Sequence, residues 1–399
     1  MLLRLALALF ALQAGFHGFT ASLPLALSRS GIPDSEIGLI VGLAALVQIP
    51  AAFIGGALVD RFGGRRLLGV GGVAYLAGAS MFLIPGIDPV DDRLPFVVSR
   101  ICQGVGLAIT LPAALSLVPK LVPMHRRGFG LAFIGSVHNL TLIALPPLSL
   151  AVLGDGTSLR GVALVVGAVV VVGLVLGLDL GSRTPHTAGA ENPVDLVGEA
   201  RRRLGFAFRR SWLPPLAVTL LYVAHWGVVT AYLPQRAELA GADVGLFFVA
   251  DGVAVLALRI PSGWLADRVP PRWLVLSGLL ATAIAIGLLV LPVTTPILVV
   301  AGLLTGGGAG VILTPLLVEI SRRSSDADRG SAFAMFSASL AAALVLGSIG
   351  ASPIIAVAGF EATILATIAG LGLAAGVALL DPGLSQRRST PEASAPTPV

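Results

Sequence analysis

The chain has 399 residues, of which 56% are hydrophobic and only 12% are charged. Soluble domains have roughly a quarter of their residues charged, so this composition excludes a soluble multidomain protein and indicates an integral membrane protein. The single cysteine, Cys102, excludes an intrachain disulfide and a cysteine-based metal cluster. The net charge of +5 comes from arginines that lie between apolar segments, so we expect no nucleic-acid partner.

Twelve apolar segments long enough to cross a membrane, here called spans 1 to 12, follow one another along the chain. A helix of about 20 residues crosses a hydrocarbon layer of ~30 Å. Spans 1 to 6 are predicted at 5–27, 37–59, 67–86, 94–117, 128–150 and 160–180. Spans 7 to 12 are predicted at 213–234, 245–266, 273–292, 296–319, 330–352 and 356–380, with the division between spans 9 and 10 the least distinct. Span 1 imitates a signal peptide but lacks a convincing small-residue cleavage site, so we expect it to be retained.

These spans predict an all-α integral membrane fold with twelve transmembrane helices in two six-helix bundles. The N-terminal bundle is predicted at 1–180, a cytoplasmic basic linker at 181–212, the C-terminal bundle at 213–380 and a disordered cytoplasmic tail at 381–399. Within the linker, the 194–210 segment has one apolar face surrounded by arginines, which is typical of a helix that lies on anionic lipid. A solvated linker helix without a lipid role is the alternative.

Positive charge predicts the orientation. With a cytoplasmic N-terminus, twenty Lys and Arg residues lie on the cytoplasmic side and four on the outer side. The positive-inside rule then places both termini in the cytoplasm, in a multi-pass protein of the cell (inner or plasma) membrane. The outer loops are acidic instead, with Asp34, Glu36, Asp88, Asp91, Asp92 and Asp243.

The chain repeats itself across its midpoint. The stretch Gly56–Arg61 recurs as Gly263–Arg268, at an offset of 207 residues. Thr20–Pro24 matches Thr230–Pro234, and glycine-rich segments of spans 4 and 10 match at a similar offset. Matches that recur in order indicate two halves related by pseudo-symmetry, as in many secondary transporters.

The repeated stretch resembles the signature loop between helices 2 and 3 of the major facilitator superfamily, G-x-x-x-D-R-x-G-R-R. The first copy departs where Gly64 replaces a basic residue, and the second where Pro270 replaces a glycine. In that family the loop bridges the two halves and stabilises the outward-open state. The resemblance therefore implies a conformational latch of Gly56, Asp60, Arg61, Arg65, Arg66, Asp267 and Arg268. The alternative is a loop that only sets topology.

Span 4 contains a charged residue, Arg100, followed three residues later by Gln103. A charge inside hydrocarbon costs at least ~2.5 kcal/mol, so such residues are normally partnered and functional. The segment resembles the superfamily motif R-x-x-Q-G-x-G, common in proton-coupled members, which implies that Arg100 tunes a nearby proton acceptor. The alternative is that Arg100 snorkels to the outer interface, six residues away.

Span 8 carries two charges, Asp251 and Arg259, about 12 Å apart along a helix axis and therefore unable to pair directly. Each needs a partner on another helix or water in a cavity. Because burial disfavours a charged carboxylate, Asp251 is the best candidate for a proton carrier. Arg259 either contacts the substrate or belongs to a gate.

Three histidines, His17, His138 and His225, fall near the middle of their spans. Imidazole can relay protons or hydrogen-bond a polar substrate, although a lone buried histidine is more often a satisfied core residue. We predict a proton-coupling set of Asp251, Arg100 and His225, and a substrate cavity of His17, Gln48, Gln103, His138, Asn139, His225 and Arg259. The glycines Gly302, Gly306 and Gly310 predict a close helix approach at a moving interface.

The chain contains no Walker loop, no H-E-x-x-H and no G-x-S-x-G, so we expect neither an ATP-driven pump nor an enzyme, and neither cofactor nor metal. We predict a monomeric transporter that exports a small organic molecule by proton antiport. Span 5 has Pro146-Pro147 where many drug/proton antiporters have G-P-x-x-G-G, which weakens that assignment. Uptake of an organic anion or sugar, by symport or facilitated diffusion, is the alternative. A membrane-embedded enzyme or a non-transporting sensor is an alternative of a different class.

The charges of Arg100, Arg259 and Asp251 give the predicted cavity a slightly positive net charge, which favours an anionic, zwitterionic or polar substrate.

Overall fold

The computed structural model describes residues 1–179, 209–266, 268–325 and 329–385. Within these ranges the chain is helical and contains no strand. Eleven of the described helices are long and apolar enough to cross a membrane. The remaining long helix, Val244–Ala266, has 23 residues, which exceeds the roughly 20 that a crossing requires. The predicted all-α fold with twelve spans is confirmed.

The N-terminal half consists of spans 1 to 6. Span 1 is divided into the helices Leu2–His17 and Ser22–Arg29, whereas the sequence predicted one continuous segment. Spans 2 to 6 are the helices Asp34–Phe62, Gly64–Ser80, Leu94–Leu121, Arg127–Leu153 and Arg160–Asp179. Short 3-10 turns lie at Met81–Leu83 and Met124–Arg126.

The C-terminal half begins with a 3-10 turn at Arg210–Trp212. Spans 7 to 12 are Leu213–Leu239, Val244–Ala266, Pro271–Leu288, Thr295–Arg322, Arg329–Ser348 and Ser352–Leu380. A helix at Pro382–Ser385 follows. Span 12 is interrupted at Gly359, whose φ of 77° is a conformation that residues with a Cβ rarely adopt.

The sequence predicted a disordered tail from residue 381, but this boundary is too early, because residues 381–385 pack against the C-terminal half. Asp381 is buried, and its Oδ2 accepts a hydrogen bond from Arg323 at 2.6 Å. Leu384, in the short helix Pro382–Ser385, is also buried. An ion pair and an apolar anchor therefore hold 381–385 against the C-terminal half. The rest of the predicted tail, 386–399, lies outside the described residues. So do residues 180–208, which include most of the predicted linker 181–212 and of the predicted 194–210 helix.

The two halves are joined at the ends of the helices that carry Asp34 and Glu36, here called the acidic end. Arg29 Nε donates to Glu238 Oε1 at 2.7 Å, which connects spans 1 and 7. Gln235 Nε2 donates to Asp34 Oδ1 at 3.3 Å, which connects spans 7 and 2. Two hydrogen bonds thus join the halves at the acidic end.

Candidate functional site

Arg100 lies inside the N-terminal half, with only 3% of its surface exposed. Its Nη1 donates to Gln103 Oε1 at 2.6 Å, and its Nη2 donates to the carbonyl oxygen of Val41 at 2.6 Å. The guanidinium also lies over the ring of Phe16, 5.0 Å from its centroid. These contacts hold the guanidinium between spans 1, 2 and 4, away from the protein surface.

Two of the predicted histidines meet beside Arg100. The ring centroids of His17 and His138 are 5.1 Å apart. His138 Nδ1 lies 3.1 Å from Gln13 Oε1, and Thr141 Oγ1 donates to the same oxygen at 3.3 Å. Both ring nitrogens of the buried His17 lack a hydrogen-bond partner. Gln13 was not among the predicted site residues, although its amide lies four residues before His17, on the same face of a mostly apolar helix, and was a usable signal.

His225 belongs to a second group, in the C-terminal half. Its Nδ1 lies 2.5 Å from the carbonyl oxygen of Tyr222, and its ring is 4.9 Å from that of Tyr222. Trp226 is the other described ring neighbour, at 6.4 Å. Within the described residues, the ring contacts of His225 are thus to its own helix and not to the other two histidines.

Asp251 is buried in the C-terminal half, 6% exposed. Its Oδ1 accepts a hydrogen bond from Thr305 Oγ1 at 2.8 Å, so its partner is on span 10, as the spacing from Arg259 required. The part of the chain that the structure describes shows no ion pair between Asp251 and a basic group. A carboxyl group with one neutral donor can be held in either protonation state.

The glycine stripe of span 10 explains how Asp251 is positioned. A Cβ at Gly302 or Gly306 would collide with the backbone of span 8, at Phe247 and at Asp251 respectively. The predicted close approach is therefore confirmed. The prediction that the stripe faces a moving interface between the halves is wrong, because the stripe packs against span 8, which belongs to the same half.

Arg259 is exposed and lies within electrostatic range of His138, across the boundary between the two halves. Gln48 is half-buried in span 2. Asn139 is also half-buried, and its Nδ2 is enclosed without a partner. The roles predicted for these three residues in a substrate cavity stay predictions.

The latch residues are only partly described. Asp267 lies outside the described residues, and for Gly56 and Asp60 the structure describes only their place in the helix of span 2. Arg61, Arg66 and Arg268 are exposed, and Arg65 is half-buried.

Span 2 ends at Gly63, whose φ is 81°. A Cβ at Gly64 would lie 2.5 Å from the carbonyl oxygen of Ala113 and closer still to Ser116. The departure from the family pattern at Gly64 therefore has a steric cause, because span 3 starts in direct contact with span 4.

Among the described residues, no three His, Cys, Asp or Glu side chains lie close enough together to hold a metal ion. The polar groups of the interior are instead dispersed over the two halves.

Comparison with known proteins gives a consistent result. The family model of the Major Facilitator Superfamily matches residues 5–243 and 236–399. An MFS-type transporter of Mycobacterium tuberculosis, Rv1250, is 28% identical over 190 residues, which are 45% of this chain and 31% of the relative. Quinolone resistance protein NorA of Staphylococcus aureus is 24% identical over 124 residues, 31% of each protein. The alignment thus spans about a third of the length of these relatives.

Solved structures show the same architecture. The inward-open xylose transporter XylE from E. coli matches with a TM-score of 0.70 at 19% identity, over 95% of both chains. A POT family transporter in complex with 5-aminolevulinic acid matches with a TM-score of 0.77 at 13% identity, over 96% of both chains. At these identities the likeness concerns the fold, which is that of two pseudo-symmetric six-helix bundles.

Proposed function

Since this chain belongs to the Major Facilitator Superfamily, we propose that it is a secondary active transporter that exports a small organic molecule in exchange for protons. The observation that carries the proposal is the buried Asp251, whose described hydrogen-bond partner is the neutral hydroxyl of Thr305. A carboxyl group in this setting can take up a proton from one side of the membrane and release it to the other. The substrate crosses without chemical change.

Asp251 carries the proton, while Arg100 and His225 influence its exchange through their charge and hydrogen bonds. The substrate occupies the space between the halves, where His17, His138 and Arg259 offer polar groups. Gln48, Gln103 and Asn139 complete the cavity. Release of the proton from Asp251 leaves a buried negative charge, which favours the conformation in which water or a cationic group reaches it.

We propose that both termini and the arginine-rich end, opposite the acidic end, lie in the cytoplasm, because twenty of the Lys and Arg residues fall on that side. The ion pair of Arg29 with Glu238 then joins the two halves on the outer side. Such a contact favours the inward-open state, which loads substrate from the cytoplasm. The Asp60 and Asp267 loops act in the outward-open state, as latches that close the cytoplasmic side.

The remaining assignments follow the sequence. We propose a monomer with bundles at 1–180 and 213–380, a linker at 181–212 and, at 194–210, a helix on anionic lipid. The two repeated loops argue against a non-transporting sensor or an embedded enzyme, since neither needs alternating access.

Export, the proposed direction of transport, is supported by one relative, the quinolone resistance protein NorA, because resistance to a compound fits the removal of that compound from the cell. Uptake of an organic anion or sugar, as a symporter or facilitator, is the second candidate. It is favoured by the pair of prolines at Pro146 and Pro147 in span 5 and by the likeness of the fold to a D-xylose-proton symporter.

Transport in proteoliposomes with an enclosed pH-sensitive dye tests the proposal. The panel comprises organic acids, sugars and amphiphilic drugs, added outside to protein of mixed orientation. Substrate entry that drives protons out of the vesicle indicates antiport, and entry with protons indicates symport. Substrate movement without proton movement would establish a facilitator and contradict the proposed coupling.

A further inference from the structure

Several buried hydrogen-bond donors around Arg100 have no acceptor in the protein. The donors are Arg100 Nε, Gln13 Nε2 and the one N–H group of a neutral His17 ring, both of whose nitrogens are enclosed without a partner. The three side chains are 3%, 0% and 3% exposed. A buried donor without an acceptor has given up its hydrogen bonds to water and gained none in return, so a group of such donors in one place indicates a missing ligand rich in acceptors.

These donors belong to one continuous cluster, which we call the donor cluster: Gln13, Phe16, His17, Arg100 and His138. Arg100 stacks on Phe16 at 5.0 Å, and the ring of Phe16 is 5.1 Å from that of His17. His17 contacts His138, which lies beside Gln13 Oε1. The oxygen of the Gln13 amide is thereby occupied, and its NH2 group remains free to donate.

The cluster also carries an unbalanced positive charge. The described partners of Arg100 are the neutral Gln103 side chain, the Val41 carbonyl and the Phe16 ring. The predicted membrane-spanning residues of spans 1, 2, 4 and 5, which surround Arg100, contain no Asp or Glu. A buried charge without a counter-ion is costly, so a bound anion would be strongly favoured here.

We propose that the donor cluster binds the carboxylate of an organic anion, and that carboxylic acids are therefore the substrate class of this protein. The inference rests on the transport function proposed above. The carboxylate oxygens would accept from Arg100 Nε, Gln13 Nε2 and His17. Phe16 keeps the guanidinium in place and provides an apolar surface for the organic part of the molecule.

Three probes of nearly equal shape test the charge preference: benzoate, benzamide and benzamidine. Equilibrium binding of radiolabelled benzoate to the full chain in lipid nanodiscs is measured, with the other two as competitors. Benzoate is expected to bind at least about tenfold more tightly than either competitor. Equal affinity for benzoate and benzamide would overturn the anion site.

Two variants locate the site. Arg100→Gln removes the charge, and benzoate binding is expected to weaken roughly 30-fold or more. Gln103→Glu places a carboxylate on Arg100 Nη1, where Gln103 Oε1 now lies at 2.6 Å, and supplies an internal counter-ion. This variant is expected to keep or raise the melting temperature and still to lose benzoate binding. Arg160→Gln, which removes an exposed arginine at the acidic end, is the matched control and should bind as the wild type does.

Unchanged benzoate binding in Gln103→Glu would overturn the assignment even where Arg100→Gln fails to fold. The same proteins in proteoliposomes separate the two proposals. Proton-linked transport of neutral or cationic compounds without a preference for benzoate would remove the anion site and leave the transport function. A benzoate preference without movement of any compound would remove the transport function and leave the site.

Discussion

Asp251 and Thr305 form the polar contact on which the proposed proton coupling depends. Thr305 Oγ1 lies 2.8 Å from Asp251 Oδ1 and 3.0 Å from the carbonyl oxygens of Ala301 and Gly302. The hydroxyl has one proton, so donation to Asp251 competes with donation to its own helix. Thr305 is thus a positioning residue that responds to the charge on Asp251.

Thr305→Val removes the hydroxyl and nearly preserves shape. We expect proton-linked transport to slow about tenfold, because a hydrogen bond to a charged group contributes roughly 1.5–3 kcal/mol. Thr305→Ser restores the hydroxyl and should restore the rate. The pH dependence of the rate should change in the valine variant only. An unchanged pH profile in Thr305→Val would show that the contact has no part in coupling.

Span 10 packs against span 8 through glycines, and this packing fixes where Asp251 lies. Gly306→Ala would push a methyl group into the backbone of Asp251. We expect a loss of stability of about 1–3 kcal/mol and a loss of transport, since a backbone atom cannot move aside as a side chain can. The melting temperature and the transport rate are measured together.

Gly307→Ala is the control on the same helix. Its Cβ would lie 3.2 Å from Leu258 Cδ1, the flexible end of a side chain. This variant should keep both stability and transport. If both substitutions lower the melting temperature and the transport rate equally, the cause is an added methyl group anywhere in this part of span 10, and not the contact with Asp251.

The start of span 3 is a second tight packing position. Gly64→Ala brings a Cβ to 2.5 Å from the Ala113 carbonyl oxygen, so the melting temperature should fall. Gly69→Ala, where the nearest atom would be 3.6 Å away, is the comparison and should be tolerated. A stable Gly64→Ala protein would contradict the steric explanation for the departure from the family pattern.

At the scale of the whole molecule, the twelve spans were predictable because apolar length alone identifies a membrane helix. The repeat made the two halves predictable as well. The break of span 1 after His17 was not, since no proline or charge marks it. Partners across helices, such as Gln13 for His138, Thr305 for Asp251 and Arg29 for Glu238, depend on which helices are neighbours. Hydropathy carries no information on which helices are neighbours.

The contact between the halves at the acidic end gives a prediction on conformation. Glu238→Gln removes the charge that Arg29 contacts at 2.7 Å while preserving side-chain shape. Because the pair is partly exposed, it contributes up to about 1 kcal/mol, so the outward-open population should rise up to about fivefold. Spin labels at the exposed Thr157 and Thr294, in a Cys102→Ala background, report the separation of the halves.

Arg93→Gln is the matched control for that measurement. It breaks an ion pair with Glu36 that lies within the N-terminal half. The distance distribution should stay that of the parent protein. A distribution that shifts with Arg93→Gln and not with Glu238→Gln would refute the role assigned to the Arg29 contact.

Proton-coupled transport through Asp251 is tested most directly by comparing Asp251→Asn with Asp243→Asn in proteoliposomes that contain a pH-sensitive dye. Asp243 accepts a hydrogen bond from the Gly245 backbone at 2.8 Å, at the start of span 8, where asparagine serves equally well. We expect substrate-driven proton movement in the wild type and in Asp243→Asn, and none in Asp251→Asn. Proton movement that persists in Asp251→Asn would contradict the role of Asp251 as the proton carrier and place that carrier elsewhere.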